Sequence, residues 1–295
     1  SQSCTDAGVT VTAEQSITDN YNSHISFKVE GFQVEDGQQP DFGSISVLVD
    51  GKDDLNLDAG FYDGTIAGED GMPVRASDGS SALDENGDMM YYYVQEDGSM
   101  EFDINMNNYQ EKGFFIGKDI QVELKDLGTV DKAEFTKTLE GTWRFEWKLG
   151  GADTAKTYTL NQPLGDSGAT IQTVEISPIS VYAEYNFPIQ KETITGENED
   201  GTTSESTTFK EAPPLMGIKL KDGTVIKNMY MGGGMIGYQN NSSDDYVYAY
   251  ATDRIIDPDQ IAYFLFIKDI SDGEQGLTED DYYEVAVGED QQGDR

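Results

Sequence analysis

The sequence predicts an all-β protein made of two tandem antiparallel β-sandwich domains. Three observations predict this fold: apolar residues recur with period two, turn dipeptides separate the strands, and one series of strands occurs twice. Alternation places one face of a strand on a core and the other in water, as antiparallel sheets require. The two copies are spaced much more widely than the roughly 20 to 50 residues of a solenoid unit, so tandem domains are favoured.

The repeated series is carried by several segments in each half of the chain. Strands at 8–12 and 24–29 open it, and similar segments at 168–174 and 180–185 open it again. Two later correspondences keep the same order: 42–47 with 215–220, and 117–126 with 259–269. Each half is therefore predicted to form one sandwich.

Individual strands are predicted from alternation and from the turns between them. Phe102, Ile104 and Met106 alternate with polar residues, so one face of this segment is expected to meet a core. Asp-Gly and Asn-Gly pairs favour tight turns because these residues tolerate positive φ. The best helical segments are short: about two turns at 131–139 and a single turn from Asp257.

The domain boundary is predicted at Gly150 and Gly151. The alternating segment 141–149 precedes these glycines and is expected to close the first sandwich. Three segments are expected to lie outside the cores. The predicted organisation is as follows: domains over 1–150 and 151–295, an acidic insertion at 53–88, a polar hairpin at 191–210, and an acidic tail from 271 that frays after 287.

The charge balance restricts the partners of this chain. Its 295 residues include 19 Lys plus Arg and 56 Asp plus Glu, a formal net charge of −37. Such a field repels phosphate backbones and anionic lipid headgroups, so neither nucleic acid nor membrane surfaces are expected partners. The single cysteine, Cys4, cannot form an intrachain disulfide, and we interpret it as an incidental thiol near a ragged start.

No segment is predicted to cross a membrane. The longest apolar run, 261–267, is much shorter than the roughly 20 residues that span a bilayer. Because the chain starts at Ser1 without a methionine, we expect it to be the soluble part of a longer protein whose targeting or anchoring segment has been removed.

The residues needed for familiar catalytic devices are scarce. His24 is the only histidine and is predicted to lie on the solvent face of its strand. With one histidine and one cysteine, the familiar zinc motifs are excluded. Any Ser-His-Asp or Cys-His catalytic arrangement would depend on His24 alone. Gly232–Gly237 satisfies G-x-G-x-x-G, but a turn follows instead of a helix N-terminus. We interpret this segment as a glycine-rich bulge or loop, and we predict a protein that is not an enzyme.

Two acidic clusters are candidates for calcium loops, because calcium takes six to eight oxygen ligands. Neither cluster completes an EF-hand, since the bidentate glutamate at the twelfth position is missing. The default interpretation is therefore a pair of solvated turns, and a structural calcium ion is the alternative. The candidate ligands are Asp50, Asp53, Asp54, Asn56 and Asp58 in the first cluster, and Asp84, Glu85, Asn86 and Asp88 in the second.

Aromatic residues offer a second candidate surface. The run Met89–Val94 contains three consecutive tyrosines. Stacked tyrosines would suit a sugar or a peptide, but a strand buried on both faces would have the same sequence. The sequence favours core packing and leaves the platform as an alternative.

Several strand and turn segments together resemble one known family. These segments are 8–12, 141–149, 164–170, 174–178 and 257–261. With them, the chain resembles the extracytoplasmic region of bacterial membrane proteins assigned to domain of unknown function 4179. The resemblance implies tandem immunoglobulin-like domains on the cell surface and a single membrane anchor outside this chain. It also implies a link to sigma-factor regulation, and it transfers no functional residue.

Function is therefore expected to lie in binding. The leading hypothesis is a non-catalytic ectodomain that senses or binds an external ligand or protein partner. The alternative is a calcium-stabilised adhesin or a carbohydrate-binding protein. Paired carboxylates that hydrolyse a glycoside are a third hypothesis, but with 56 acidic residues some pairing is inevitable.

Overall fold

The computed structural model describes residues 1–35, 38–62, 93–95, 97–151, 155–198, 200–240, 242–269 and 277–288. Antiparallel strands make up nearly all of its regular structure, which confirms the predicted all-β class. The chain divides into two compact units. Unit 1 is Ser1–Ala155 with Pro178–Ser180, and unit 2 is Lys156–Ser177 with Val181–Arg295. The division after Ala155 lies a few residues beyond the junction predicted at Gly150 and Gly151.

Unit 1 forms two sheets from its described strands. One sheet has the order β1-β2-β3-β6-β5 and the other the order β4-β7-β8. The strands are β1 (Gln2–Asp6), β2 (Val9–Thr18), β3 (Asn22–Glu30), β4 (Gln39–Val49), β5 (Asn56–Phe61), β6 (Met100–Asn107), β7 (Asp119–Asp131) and β8 (Glu134–Lys148).

Unit 2 forms a five-stranded sheet, β9-β10-β11-β17-β16, and a four-stranded sheet, β15-β14-β18-β19. A separate hairpin pairs β12 with β13, within the range of the predicted polar hairpin. The strands are β9 (Lys156–Pro163), β10 (Thr170–Ile176), β11 (Ser180–Asn186), β12 (Lys191–Glu197), β13 (Thr203–Phe209), β14 (Leu215–Leu220), β15 (Val225–Ile226), β16 (Tyr230–Tyr238), β17 (Asp245–Thr252), β18 (Ile261–Ile267) and β19 (Tyr282–Ala286).

The two units share one strand order. When β12, β13 and β15 are set aside, β9-β10-β11-β17-β16 corresponds to β1-β2-β3-β6-β5, and β14-β18-β19 corresponds to β4-β7-β8. Each repeated segment found in the sequence falls on a corresponding strand, so the internal repeat is confirmed. In unit 1, β2 to β8 follow the A-B-E-D and C-F-G order of constant-type immunoglobulin domains, with β1 added at one edge.

The core of unit 1 lies between its two sheets and is built from phenylalanine, tryptophan and aliphatic residues. Phe27 from the five-stranded sheet packs on Phe145 from the other sheet, with ring centroids 5.1 Å apart. The indole Nε1–H of Trp143 donates to the carbonyl of Val9 at 3.0 Å, which provides the partner that a buried indole needs.

The core of unit 2 contains several tyrosines. The hydroxyl of Tyr250 donates to the carbonyl of Leu215 at 2.6 Å, and that of Tyr185 donates to the carbonyl of Pro213 at 2.9 Å. Both acceptors lie at or just before the start of β14, so the hydroxyls anchor this part of the chain across the core. Burial raises the pKa of Tyr185 well above its ordinary value, which keeps it neutral.

Two expectations about local structure are wrong. The segment 131–139, predicted to be helical, is the turn between β7 and β8 with the start of β8. Lys132 and Ala133 have φ values of 48° and 65°, as in the turns whose twist matches a hairpin. Cys4 does not lie in a ragged end, because it pairs with Val11 in the β1–β2 ladder. The predicted turn after Asp257 is a 3-10 turn.

Side chains of β1 cover the backbone of the edge strand β8. The amide of Gln2 donates to the carbonyl of Glu146 at 2.8 Å. The N–H of Thr142 donates to the carboxylate of Asp6, also at 2.8 Å. Exposed strand edges invite pairing with other chains, so these side chains protect the edge of the smaller sheet.

Candidate functional site

A polar surface covers the outer face of the five-stranded sheet in unit 1. Its strands β3 and β6 turn Phe27 and Ile104 to the core, both with no exposed area. The residues between them face outward because side chains alternate across a strand. Three pairs of opposed residues form what we call the polar face: His24 with Asn105, Ser26 with Asp103, and Lys28 with Glu101.

His24 lies at one end of this polar face. Its Nδ1 is 2.6 Å from Oδ1 of Asn105, and its Nε2 is 3.8 Å from Oδ1 of Asp103. The second distance is too long for a hydrogen bond. The His24 side chain lies on the outer face, as predicted, but only 19% of it is exposed.

Asp103 is the most unusual titratable group of the polar face. Burial and the neighbouring Glu101 raise its pKa to about 7. The hydroxyl of Ser26 donates to Oε1 of Glu101 at 2.9 Å. Among the described residues, Oδ1 of Asp103 is buried without a hydrogen-bond partner. A buried polar atom without a partner is costly, so it needs an explanation; Nδ2 of Asn22 and the hydroxyl of Tyr246 share this condition among the described residues.

Ion pairs of Lys28 lie at the opposite end of the polar face. Nζ of Lys28 lies 2.9 Å from the carboxylate of Asp97 and 3.4 Å from that of Glu30. The hydroxyl of Ser99 donates to Asp97 at 2.6 Å. The Ser99 hydrogen bonds, followed by Lys28, lower the pKa of Asp97 far below its ordinary range. This end therefore stays charged, whereas Asp103 titrates near neutrality.

The corresponding strand of unit 2 has different chemistry. Its β17 takes the place of β6 in the strand order. The residues of β17 that alternate with the core tyrosines are Val247, Ala249 and Ala251, and all three are buried. In the described part of the chain, the polar surface on this strand is thus a property of unit 1 and not of the shared fold.

The structure separates the members of the first calcium cluster. Asp50 follows β4 and accepts a hydrogen bond from the N–H of Asp119, whereas Asn56 and Asp58 lie on β5 in the other sheet. The amide of Asn56 donates to Asn107 at 2.8 Å. Asp53 and Asp54 are exposed between the two strands.

Within the described ranges, no three histidine, cysteine, aspartate or glutamate side chains are arranged to hold a metal ion. The second cluster, Asp84, Glu85, Asn86 and Asp88, lies outside the described residues, so calcium binding there stays a prediction.

The glycine-rich segment is part of an edge strand. Gly232–Gly237 lies in β16, whose pairing with β17 shifts register before Gly232 and again before Met235. A side chain at Gly234 would place its Cβ 2.0 Å from the carbonyl oxygen of Ala249. This close approach explains the glycine, and the predicted bulge is confirmed.

Sequence reasoning missed the polar face because alternation alone predicts a solvated surface there. Only the structure shows that Asp103 is 16% exposed. A signal was available in the sequence: the residues that alternate with the core residues include Asp103 and Asn105 in β6, whereas in β17 they are Val247, Ala249 and Ala251. Of the tyrosine run at 89–94, only Tyr93 and Val94 are described, and Tyr93 packs against the core of unit 1.

The described residues contain no helix that is long and apolar enough to span a membrane.

Comparisons with known proteins give little further information. No family model matches the chain, and no curated protein matches it. One similar solved structure is described as the crystal structure of the conserved domain protein from Bacillus anthracis. It is 14% identical, with a TM-score of 0.40, and the match covers 90% of this chain and 74% of the other. A second, described as BspA_C_mut, is 12% identical, with a TM-score of 0.16 and coverage of 85% and 83%. Both likenesses are too weak to indicate an activity.

Proposed function

We propose that this chain is a non-catalytic ectodomain that binds an external ligand on the polar face of unit 1. The observation that carries this proposal is the difference between two strands in corresponding places, β6 with the half-buried Asp103 and its buried Oδ1, and β17 with its apolar residues. A shared fold explains the core residues of both strands. It does not explain a half-buried carboxyl group with a buried oxygen in only one of them.

The chemistry of the polar face favours a ligand that donates hydrogen bonds. Oδ1 of Asp103 is an acceptor without a partner among the described residues, and Nε2 of His24 lies beside it. A hydroxyl, ammonium or guanidinium group would satisfy this oxygen. The net charge of −37 supports the same choice, since polyanions are repelled.

The cellular setting is also part of the proposal. The resemblance to domain of unknown function 4179 supports an extracytoplasmic location on a bacterial cell, anchored through a membrane segment outside this chain. It further supports signalling to a sigma factor through a cytoplasmic segment. Protease treatment of intact cells tests the location: the domain should be digested before the cells are lysed. Its survival until lysis would refute the extracytoplasmic assignment.

Ligand binding is tested by thermal unfolding with a panel of free sugars, amino acids and polyamines. A true ligand should raise the unfolding midpoint of the wild type, because it binds only the folded state. Asp103→Leu should abolish this shift while leaving the free protein as stable or more stable, because a costly buried carboxyl is removed. The matched control is Glu184→Gln, on β11 of unit 2, which should respond like the wild type.

Two outcomes would count against this site. An Asp103→Leu protein that keeps the full ligand-induced shift would place the ligand elsewhere. If Glu184→Gln lost the ligand-induced shift to the same extent as Asp103→Leu, the shift would reflect the protein's overall charge and not a site on the polar face.

A carbohydrate-binding adhesin is the second candidate function. It is favoured by the mixture of imidazole, hydroxyl, amide and carboxyl groups at His24, Ser26, Asn105 and Asp103, because vicinal sugar hydroxyls both donate and accept. Thermal unfolding in EDTA and then in millimolar calcium separates this calcium-stabilised alternative from the sensory one. A calcium-specific rise in the midpoint would favour the adhesin, and no change would favour the sensory ectodomain.

A further inference from the structure

The hairpin β12–β13 of unit 2 is a regular, solvent-exposed two-stranded sheet. Seven consecutive residue pairs join the strands, from Lys191 with Phe209 to Glu197 with Thr203, without a register shift. All fourteen residues of the two strands are exposed. The hairpin occupies the connection between β11 and β14, the equivalent of a loop between the B and C strands in an immunoglobulin domain.

The base of this hairpin is fixed to the body of unit 2. The ring of Phe209 packs against Tyr238 at 5.7 Å, and Nζ of Lys191 lies 5.6 Å from the centroid of Phe209. Tyr238 in turn contacts the buried Tyr246 at 5.1 Å. The N–H of Lys210 donates to the carbonyl of Gln190 and extends the ladder below the first pair. The hairpin is therefore an arm on a fixed base.

The strands of this arm lack the usual protection of sheet edges. Natural edge strands are commonly blunted by proline, by bulges or by charged side chains, lysine above all, and the charges of this arm are mostly glutamates, which would not repel a cationic strand. Neither β12 nor β13 contains a proline or a bulge, and Lys191 at the base is their single basic residue. A two-stranded sheet is only marginally stable in water, so a third strand would stabilise it. Such an arm is suited to strand addition.

We infer that the β12–β13 arm docks an extended, cationic segment of a partner protein as a third strand. The charges of the arm favour this occupant, because Glu192, Glu197 and Glu205 outnumber Lys191. A second copy of the chain is disfavoured, since both copies carry a charge of −37. This inference rests on unit 2 alone and is independent of the ligand proposed for the polar face.

Two synthetic peptides test the inference with the intact chain. The first alternates lysine and threonine over about ten residues and can form a strand. The second has the same sequence and charge, but every other backbone nitrogen is methylated, so one edge cannot pair. Isothermal titration calorimetry should show the first peptide binding at least about tenfold more tightly than the second, with slower amide hydrogen exchange in the arm.

Variants of the arm show where the first peptide binds. Replacing 192–208 by a short Gly-Ser turn keeps Lys191 and Phe209 at the base and should remove the difference between the peptides. If the protein with this replacement does not fold, a second variant is used in which Glu192, Glu197 and Glu205 are replaced by lysine. This variant should bind the first peptide at least about tenfold more weakly. The matched control reverses Glu134, Glu140 and Glu146 on β8, which are equally exposed.

The outcomes separate strand addition from general attraction to an acidic protein. Binding that distinguishes the peptides and depends on the arm supports the inference. Equal affinity for both peptides, or affinity lowered as much by the β8 control as by the arm variant, would overturn it. Neither result bears on the polar face of unit 1.

Discussion

The two units share a strand order, yet the corresponding strands β6 and β17 are buried in different ways. In unit 1, the residues of β6 alternate between buried and half-buried along the whole strand. In unit 2, all residues of β17 after the first are buried. The comparison shows that strand order fixes which residues of these strands face the core, whereas the residues on the opposite side can be polar, as on β6, or apolar, as on β17. Function is expected where that opposite face is polar.

The cores also differ in how many of their buried side chains need hydrogen-bond partners. Unit 1 buries phenylalanine, tryptophan and aliphatic side chains, and only Trp143 requires a hydrogen-bond acceptor among its largest members. Unit 2 buries tyrosines whose hydroxyls reach backbone carbonyls near the start of β14. In unit 2, the start of β14 is therefore held by hydrogen bonds from tyrosines across the core, whereas the core of unit 1 is stabilised mainly by apolar packing.

The largest expected effect comes from the packed core of unit 1. Phe102 has no exposed area, and its ring lies 4.8 Å from Phe42 and 5.1 Å from Phe61. Phe102→Ala should lower the free energy of unfolding by about 3 to 5 kcal/mol, because it removes contacts and leaves a cavity. Urea denaturation measures the change. Phe209→Ala at the exposed base of the arm should cost much less, and equal losses would contradict the assigned burial.

The next effect concerns the pH dependence of stability. The pKa of Asp103 is about 7 in the folded state against 3.8 ordinarily, so the folded state retains a proton that the unfolded state has lost. The proton retained by Asp103 stabilises the folded state. This contribution to the free energy of unfolding is fully present below about pH 4 and is lost as the pH rises through 7, up to about 4 kcal/mol in total.

Asp103→Asn should lose this part of the pH dependence. The measurement is the free energy of unfolding from pH 4 to 8 for both proteins. The difference between their curves should change with pH between 4 and 7 and become constant above 7. Parallel curves over the whole range would show that Asp103 is an ordinary surface carboxylate.

A smaller effect is expected in the core of unit 2. Tyr250→Phe leaves the carbonyl of Leu215 without the hydroxyl that donates to it, which should cost about 1 to 3 kcal/mol. Thermal unfolding measures the change, with Tyr263→Phe at an exposed position as the control. A Tyr250→Phe protein as stable as this control would mean that the tyrosine core relies on packing alone.

The smallest effect concerns the strand edge protected by β1. Asp6→Ala removes the acceptor for the N–H of Thr142, so it should cost about 0.5 to 1.5 kcal/mol. Thr157→Ala, on the corresponding first strand β9 of unit 2, is the control and should change stability less. A larger loss in the control than in Asp6→Ala would refute the edge contact.

Much of the fold was predictable from the sequence because its signals are local. The alternation at Phe102, Ile104 and Met106 predicts a strand with one buried face, and these residues are buried in β6. The turn at Lys132 and Ala133 was not predictable, because neither residue is a glycine or an asparagine, the residue types that signal positive φ.

The candidate site was less predictable than the fold. The sequence places His24 and Asp103 on an outer face, but burial of that face depends on contacts between distant segments. The first acidic cluster shows the converse case, because its members are close in sequence but do not lie together in the structure. Asp50 and Asp58 lie in strands or turns of different sheets.

A site-specific titration of Asp103 tests the central claim most directly. Carbon-13 NMR of labelled aspartate carboxyl groups, assigned with Asp103→Asn, reports the protonation of this residue in the free protein. The polar face as described predicts a midpoint near pH 7, caused by burial beside Glu101. A midpoint near pH 4 would contradict it, because Asp103 would then be a solvated carboxylate and the two units would no longer differ in the way that points to a site.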